Sequence, residues 1–339
     1  MNIKRMEIAN LTCRSKLGDK ELLDVFVDYF LPAMQNQEAP GSKNSETLFY
    51  KFIDLNVAKI EKELVLYGRF IKCLNIEREQ ILKGDILISS YETMDSAPSS
   101  FFVLILRNHK LLWVKEMSRA PLLKDFRAAL LKMLDKERLN LIKDYIESQT
   151  SDLFFSKNNL ANIERKAYAE YPELEVSVTP LGNNIQIQKK LSRFKNIYNI
   201  TLKALRRNNE LGSDFSMLAK KMSETQEKME AKNVTAEIHG DTKNPLKKEA
   251  ATELIQAVSD GNYEYKIQGI DENSNKIIET SNTLSLSMII NYVKDDIPQN
   301  VRNIIQKYME TVNTYNDRIP QQNVDVCEQL RKIEQELLK

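Results

Sequence analysis

The second half of the chain alternates strand-like and helix-like segments, which restricts it to folds that stack helices against a sheet. Period-two patterning marks strands at 173–179, 196–203 and 233–239, and helical periodicity marks helices at 185–194, 214–230 and 245–259. Segments 263–269 and 276–281 then read as a hairpin across Asp271-Glu-Asn-Ser-Asn275. Alternation alone would also permit an α/β fold. The short helices and two hairpins favour α+β, with a mixed sheet in this half.

The first half reads as a β-rich block packed by helices. A strand at 1–12 precedes a helix at 19–34, where Asp19 suits the N-cap and Leu22, Leu23, Phe26, Val27 and Phe30 form the apolar stripe. Strands follow at 47–54, 63–73, 85–90, 100–107 and 111–115, the last two joined by the three-residue turn Asn108-His109-Lys110. A long helix over about 121–149 has Ser118 as its expected cap, Pro121 in the first turn and Leu122, Leu123, Phe126, Leu130, Leu131 and Leu134 on its buried face. The expected organisation is an N-terminal α+β domain (1–150), a connecting segment (151–172), an alternating domain (173–298) and C-terminal helices (299–339). The last helix carries Val326, Leu330, Ile333 and Leu337, a seam that packs on its own domain or serves self-association.

Bulk properties exclude several classes. At 339 residues and 42% hydrophobic, the chain can bury a sizeable core. Its longest apolar run, 101–106, falls far short of the roughly 20 residues of a membrane helix, and no signal-peptide pattern opens the chain. Cys13, Cys73 and Cys327 lack metal-ligand spacing and are expected to be reduced thiols in a cytoplasmic protein. No GxGxxG or GxxxxGK[ST] occurs among the few glycines, so a P-loop is excluded.

Candidate chemistry is sparse. His109 and His239 have no adjacent nucleophile and read as turn histidines. Asp54, Glu61, Glu63 and Glu264 approach the acidic pattern of a metal-dependent nuclease through Glu61-Lys-Glu63 and Glu264-Tyr-Lys266. Basic residues are the stronger signal. Between 183 and 234, eleven Lys or Arg face five Asp or Glu, on a chain of net charge +1. Lys189, Lys190 and Arg193 fall on one short helix with Lys195 just beyond; Lys203, Arg206 and Arg207 close a strand; Lys220 and Lys221 sit in a later helix. Such groups suit phosphates, because each contact releases condensed counterions and needs no base recognition. The bland alternative is a set of solvated faces. Aromatic residues interleave poorly with them, so duplex backbone binding is expected in place of base stacking.

Several strings carry a resemblance: Leu48-Phe-Tyr-Lys-Phe-Ile-Asp54, Ser100-Phe-Phe-Val-Leu-Ile-Leu106, Pro121-Leu-Leu-Lys-Asp-Phe126, Leu174-Glu-Val-Ser-Val-Thr-Pro180 and Asp260-Gly-Asn-Tyr-Glu-Tyr-Lys-Ile-Gln-Gly269. Their order and spacing, over roughly 45–290, resemble an uncharacterised bacterial family found among phage-defence genes. That family is similar in layout to Rex-type phage-exclusion sensors, which in turn are similar to ring-forming, recombination-associated DNA-binding proteins. The resemblance implies a cytoplasmic, dimeric, non-enzymatic protein that holds double-stranded DNA by its backbone and acts in antiviral abortive infection. It implies no catalytic residue, metal or cofactor. Two rival expectations are an infection-triggered nuclease or toxin, and a scaffold that binds a phage product or a partner protein of a defence system.

Overall fold

The computed structural model describes residues 2–16, 20–41, 48–150, 157–205, 217–229, 231, 233–241, 243–314 and 325–338. The class is α+β. Nine described strands form one large sheet: β1 (Asn2–Ser15), β2 (Ala39–Pro40), β3 (Phe49–Ile60), β4 (Glu63–Lys83), β5 (Ile86–Ser96), β6 (Ser99–Ile105), β7 (Lys110–Lys115), β8 (Leu174–Pro180) and β13 (Ser287–Tyr292). Its spatial order is β13-β1-β7-β6-β4-β3-β2, with β8 also on β1 and β5 on β4. The expected hairpin of β6 and β7 is present, Ser100 facing Lys115 and Ile105 facing Lys110.

Both faces of this sheet are covered, which is why β6 is apolar from Phe101 to Ile105 and buried throughout. One face packs Leu11, Phe70, Phe102 and Trp113 against Phe126, Leu130 and Met133 of α2 (Leu123–Thr150). The Phe126 ring meets Phe52, Phe70, Phe102 and Trp113 at centroid separations of 5.4–5.7 Å, edge-on in each case. The segment expected as one helix from 19 to 34 adds to this face as a 3-10 turn (Leu22–Val25), a π turn (Phe26–Phe30) and α1 (Leu31–Asn36). Asp24 receives the Glu21 N–H at its start, while Asp19 lies outside the described residues. The expected Ser118 cap is replaced by Asp125, whose carboxylate accepts from the Leu122 N–H. The other face packs Ile8, Val103 and Leu112 against Val301, Ile304 and Ile305 of α7 (Ile297–Thr314). Ile333 of α8 (Asp325–Leu337) joins the α2 side, so the terminal seam packs on its own chain.

The alternating half forms a second, four-stranded sheet of β9 (Asn196–Leu205), β10 (Asn233–His239), β11 (Tyr263–Ile270) and β12 (Lys276–Thr280), in the order β10-β9-β11-β12. The mixed sheet expected here is antiparallel: β9 lies between β10 and β11 and runs opposite to both. An intervening helix does not force parallel pairing when the chain returns beside its own strand in the opposite sense. Three helices cover one face through Ile187, Leu191, Met222, Ala251 and Ile255: α4 (Asn184–Leu191), α5 (Met217–Lys228) and α6 (Lys248–Ala257). The 14-residue α3 (Lys157–Glu170) leads into β8.

The opening strand of this half does not belong to the small sheet. β8 pairs with residues 9–15 of β1, and β13 with residues 2–7 of the same strand. The two lie end to end along one edge of β1, and the unit of α4 to β12 is inserted where they meet. Backbone bonds from Gly182 to Ser259 and from Asn183 to Leu284 close the insertion's neck.

Candidate nucleic-acid interface

The small sheet is covered by helices on one face and bare on the other. Alternation sends Ile200, Leu202 and Ala204 of β9 into the core and Asn199, Thr201 and Lys203 to the bare face. Registry sets Thr235, Glu237 and His239 of β10 on one side of these, and Glu264, Lys266 and Gln268 of β11 on the other. Aromatic side chains are sparse here: Tyr198, half-buried at the bulge between Ile197 and Ile200, accepts from Asn196 at 3.3 Å.

The bare face looks across a cleft at α2 and β8. One section, of about 400 Å³, lies between Lys124, Arg127, Thr201, Lys203, Glu264 and Lys266. A second, of about 280 Å³, continues past Arg127 and Lys203 to Arg14, Lys16, Asp135 and Glu173. Arg127 and Lys203 line both sections, so the two adjoin.

Its electrostatics divide in two. Lys203 Nζ lies 3.1 Å from the Glu264 carboxylate, Arg14 faces Glu21 at 3.7 Å, and Lys16 pairs with Glu173. Burial, reinforced by the nearby Glu173, raises the Asp135 carboxyl above the ordinary aspartate value. The first section holds the Lys203–Glu264 pair and three further cations. Arg127 Nε donates to the Val176 carbonyl at 2.9 Å, which fixes the guanidinium on β8. Among the described residues, no carboxylate lies within ion-pair distance of Arg127, Lys124 or Lys266. Three cations from two structural units thus share a concave surface whose one carboxylate, Glu264, is paired with Lys203.

The basic residues singled out from sequence do not gather on one surface. Lys189 and Lys190 end α4, with Arg193 and Lys195 exposed in the turn before β9. Lys190 pairs with the buried Glu279 of β12 at 3.2 Å. Arg193 stands near Asp271, whose carboxyl is held low chiefly by hydrogen bonds from Asn275. Lys220 and Lys221 lie exposed on α5, Lys221 3.9 Å from Glu224. Lys203 alone of the described members reaches the cleft. Arg206 and Arg207 lie outside the described residues.

Sequence reasoning missed Lys124 and Arg127, because nothing local to α2 reveals that β8 brings it beside the small sheet. Lys266 was legible: it shares a solvent-facing register with Glu264.

The nuclease carboxylates are dispersed. Asp54 pairs with Arg69 at 2.6 Å, Glu63 with Arg107 at 3.1 Å, and Glu264 with Lys203; Glu61 sits in the turn between β3 and β4. No group of three or more His, Cys, Asp or Glu among the described residues is placed to hold a metal ion. His109 is buried in its turn with φ 53°, and His239 meets Glu237 at 3.1 Å on the bare face. No described helix is long and apolar enough to cross a membrane. Comparison with protein-family models, curated proteins and solved structures finds no match to this chain.

Proposed function

We propose that this chain is a non-catalytic protein that holds duplex DNA by its phosphate backbone in the cleft between α2 and the small sheet. The observation that carries this reading is the convergence of Lys124, Arg127 and Lys266, without carboxylate partners, beside Lys203. A cleft of this size admits one phosphodiester ridge of a duplex and not the whole helix. The bare face offers no row of aromatic side chains, Tyr198 standing alone at the β9 bulge, which disfavours single-strand stacking. Lys189, Lys190, Arg193, Lys195, Lys220 and Lys221 lie outside the cleft, Lys190 paired with Glu279, and any phosphate they meet is separate from the cleft contacts. The sequence resemblance motivates the wider reading: a cytoplasmic, dimeric protein of phage exclusion, acting where incoming phage DNA is met.

Fluorescence anisotropy on unrelated duplexes tests this. The three cleft cations without carboxylate partners alone give a salt slope of about −2.7 and a fall in affinity of about 40-fold between 50 and 200 mM salt. Arg127→Gln with Lys266→Gln should flatten the slope by about 1.8 and act equally on every sequence. No binding at low salt, or a flat salt response, overturns the proposal. Plasmid cleavage in Mg²⁺ that disappears in Glu63→Gln or Glu264→Gln establishes the nuclease reading instead.

A further inference from the structure

β4 is 21 residues long, and its two ends have different surroundings. From Glu63 to Cys73 it is a central strand between β3 and β6. From Leu74 to Lys83 its described partner is β5 alone, through Leu74–Ser96 to Lys83–Ile86. The hairpin therefore projects beyond the sheet as a two-stranded arm. Leu82 stands opposite Leu87 and Ile81 opposite Ile88, so successive pairs place apolar side chains on both faces of its tip. Leu82 is 68% exposed, Leu87 66% and Tyr91 82%, with Ile86 and Met94 similarly bare.

An isolated hairpin is marginal in water, and one with bare edges and two apolar faces invites a partner. The arm holds five acidic and two basic residues between 74 and 96, which repels nucleic acid and anionic lipid alike. Pairing also locates its base. The Lys72 N–H bonds Pro98, the Glu116 N–H bonds Ser99, and Lys4 Nζ bonds the Glu116 carbonyl. The arm thus leaves the sheet at the end where Ile3 of β1 and Ile289 of β13 are 74% and 68% exposed and Met117 is also bare.

We propose that the β4–β5 arm is a dimerisation arm, and that its occupant is a second copy of this chain. Each arm lies across the other copy's Ile3, Ile289 and Met117, so arm and receiving surface form one self-complementary patch about a two-fold axis. At about 90 Å² apiece, the eight exposed apolar side chains of arm and surface offer roughly 700 Å² per copy, close to the roughly 800 Å² that one partner contributes to a standard stable interface.

Sedimentation velocity and light scattering on the full chain decide this without DNA, so the result is independent of the cleft. Wild type should run at twice the chain mass at micromolar concentration. Leu82→Asp with Leu87→Asp should give a monomer with an unchanged circular dichroism spectrum, and so should Ile3→Asp with Ile289→Asp. Mixing the two monomeric variants should restore a weaker dimer, because one intact arm then meets one intact receiving surface. A monomeric wild type at about 100 μM, well above the micromolar range of weak specific complexes, overturns the proposal. So does an arm variant that stays dimeric, or a mixture of the two variants that stays monomeric.

Discussion

A fully buried lysine ties the two units together, and its removal has a calculable cost. Lys110, at the start of β7, has no solvent exposure, and its Nζ donates to Asn10 Oδ1 at 2.9 Å. Asn10 Nδ2 donates to Asn262 Oδ1 at 3.2 Å, and Asn262 Nδ2 donates to the Asp260 carboxylate at 2.9 Å. A buried cation on the large sheet is thereby linked through two amides to a buried carboxylate in the inserted unit. Asn10→Ala removes one bond to a charged group, worth about 1.5–3 kcal/mol, and one amide–amide bond worth about 1 kcal/mol. Lys110 keeps its other interactions, so the expected loss is about 3 kcal/mol and not the 3–5 kcal/mol of an abandoned buried charge. Lys110→Met removes the cation with its desolvation cost but leaves Asn10 Oδ1 unpaired, for about 1–2 kcal/mol. The double variant should cost at least about 1 kcal/mol less than the sum of the singles, since the two side chains share one bond. Urea denaturation at constant m-value reads all three. Strict additivity, or a change within about 0.5 kcal/mol for Asn10→Ala, refutes the reasoning.

Three further outcomes follow from particular sites. A Cβ at Gly269, beside the bulge where β11 meets β9, would lie 2.1 Å from the Asn196 carbonyl oxygen and 2.7 Å from the Phe194 ring. Gly269→Ala should therefore destabilise by about 2–3 kcal/mol in thermal melts, and an unchanged melting temperature contradicts that packing. Burial raises the Glu63 carboxyl above the ordinary glutamate value, with Arg107 opposing. A raised folded-state pKa favours the fold below the ordinary value, an increment lost as pH rises through the folded value. Wild type should thus gain stability relative to Glu63→Gln as pH falls from neutral to about 4; a difference flat in pH rules the effect out. Burial also pushes the Cys13 thiol up to about 12, whereas Cys327 is exposed. A thiol reagent should label Cys327 first and Cys13 only on unfolding, and early labelling of Cys13 would show that β1 opens locally.

Much of the candidate site was legible only as composition. The excess of basic residues between 183 and 234 is visible in the sequence, but charge counting is blind to which face each residue takes. Lys190 meets Glu279, 89 positions away, and Lys203 alternates to the side opposite α4. Arg127 enters the cleft through the docking of β8, which nothing on α2 announces. The sequence pattern ends the strand at Cys73, whereas β4 runs on to Lys83, because its projecting end lacks the period-two burial pattern that a covered face imposes.

By itself the sequence determined the α+β class, the hairpins β6–β7 and β11–β12, the apolar face of α2 and the uncovered register of Lys266. Each is a local periodicity, set by which side chains a single helix or strand must hide. Only the tertiary structure decided that β8 and β13 share one edge of β1, that the small sheet is antiparallel, that Lys110 is buried among amides and that β4 runs on into an arm. Those are choices of partner, fixed by burial and backbone pairing between segments up to 290 residues apart in the chain. No local pattern carries that information, because a strand's alternation is the same whichever neighbour completes its hydrogen bonds.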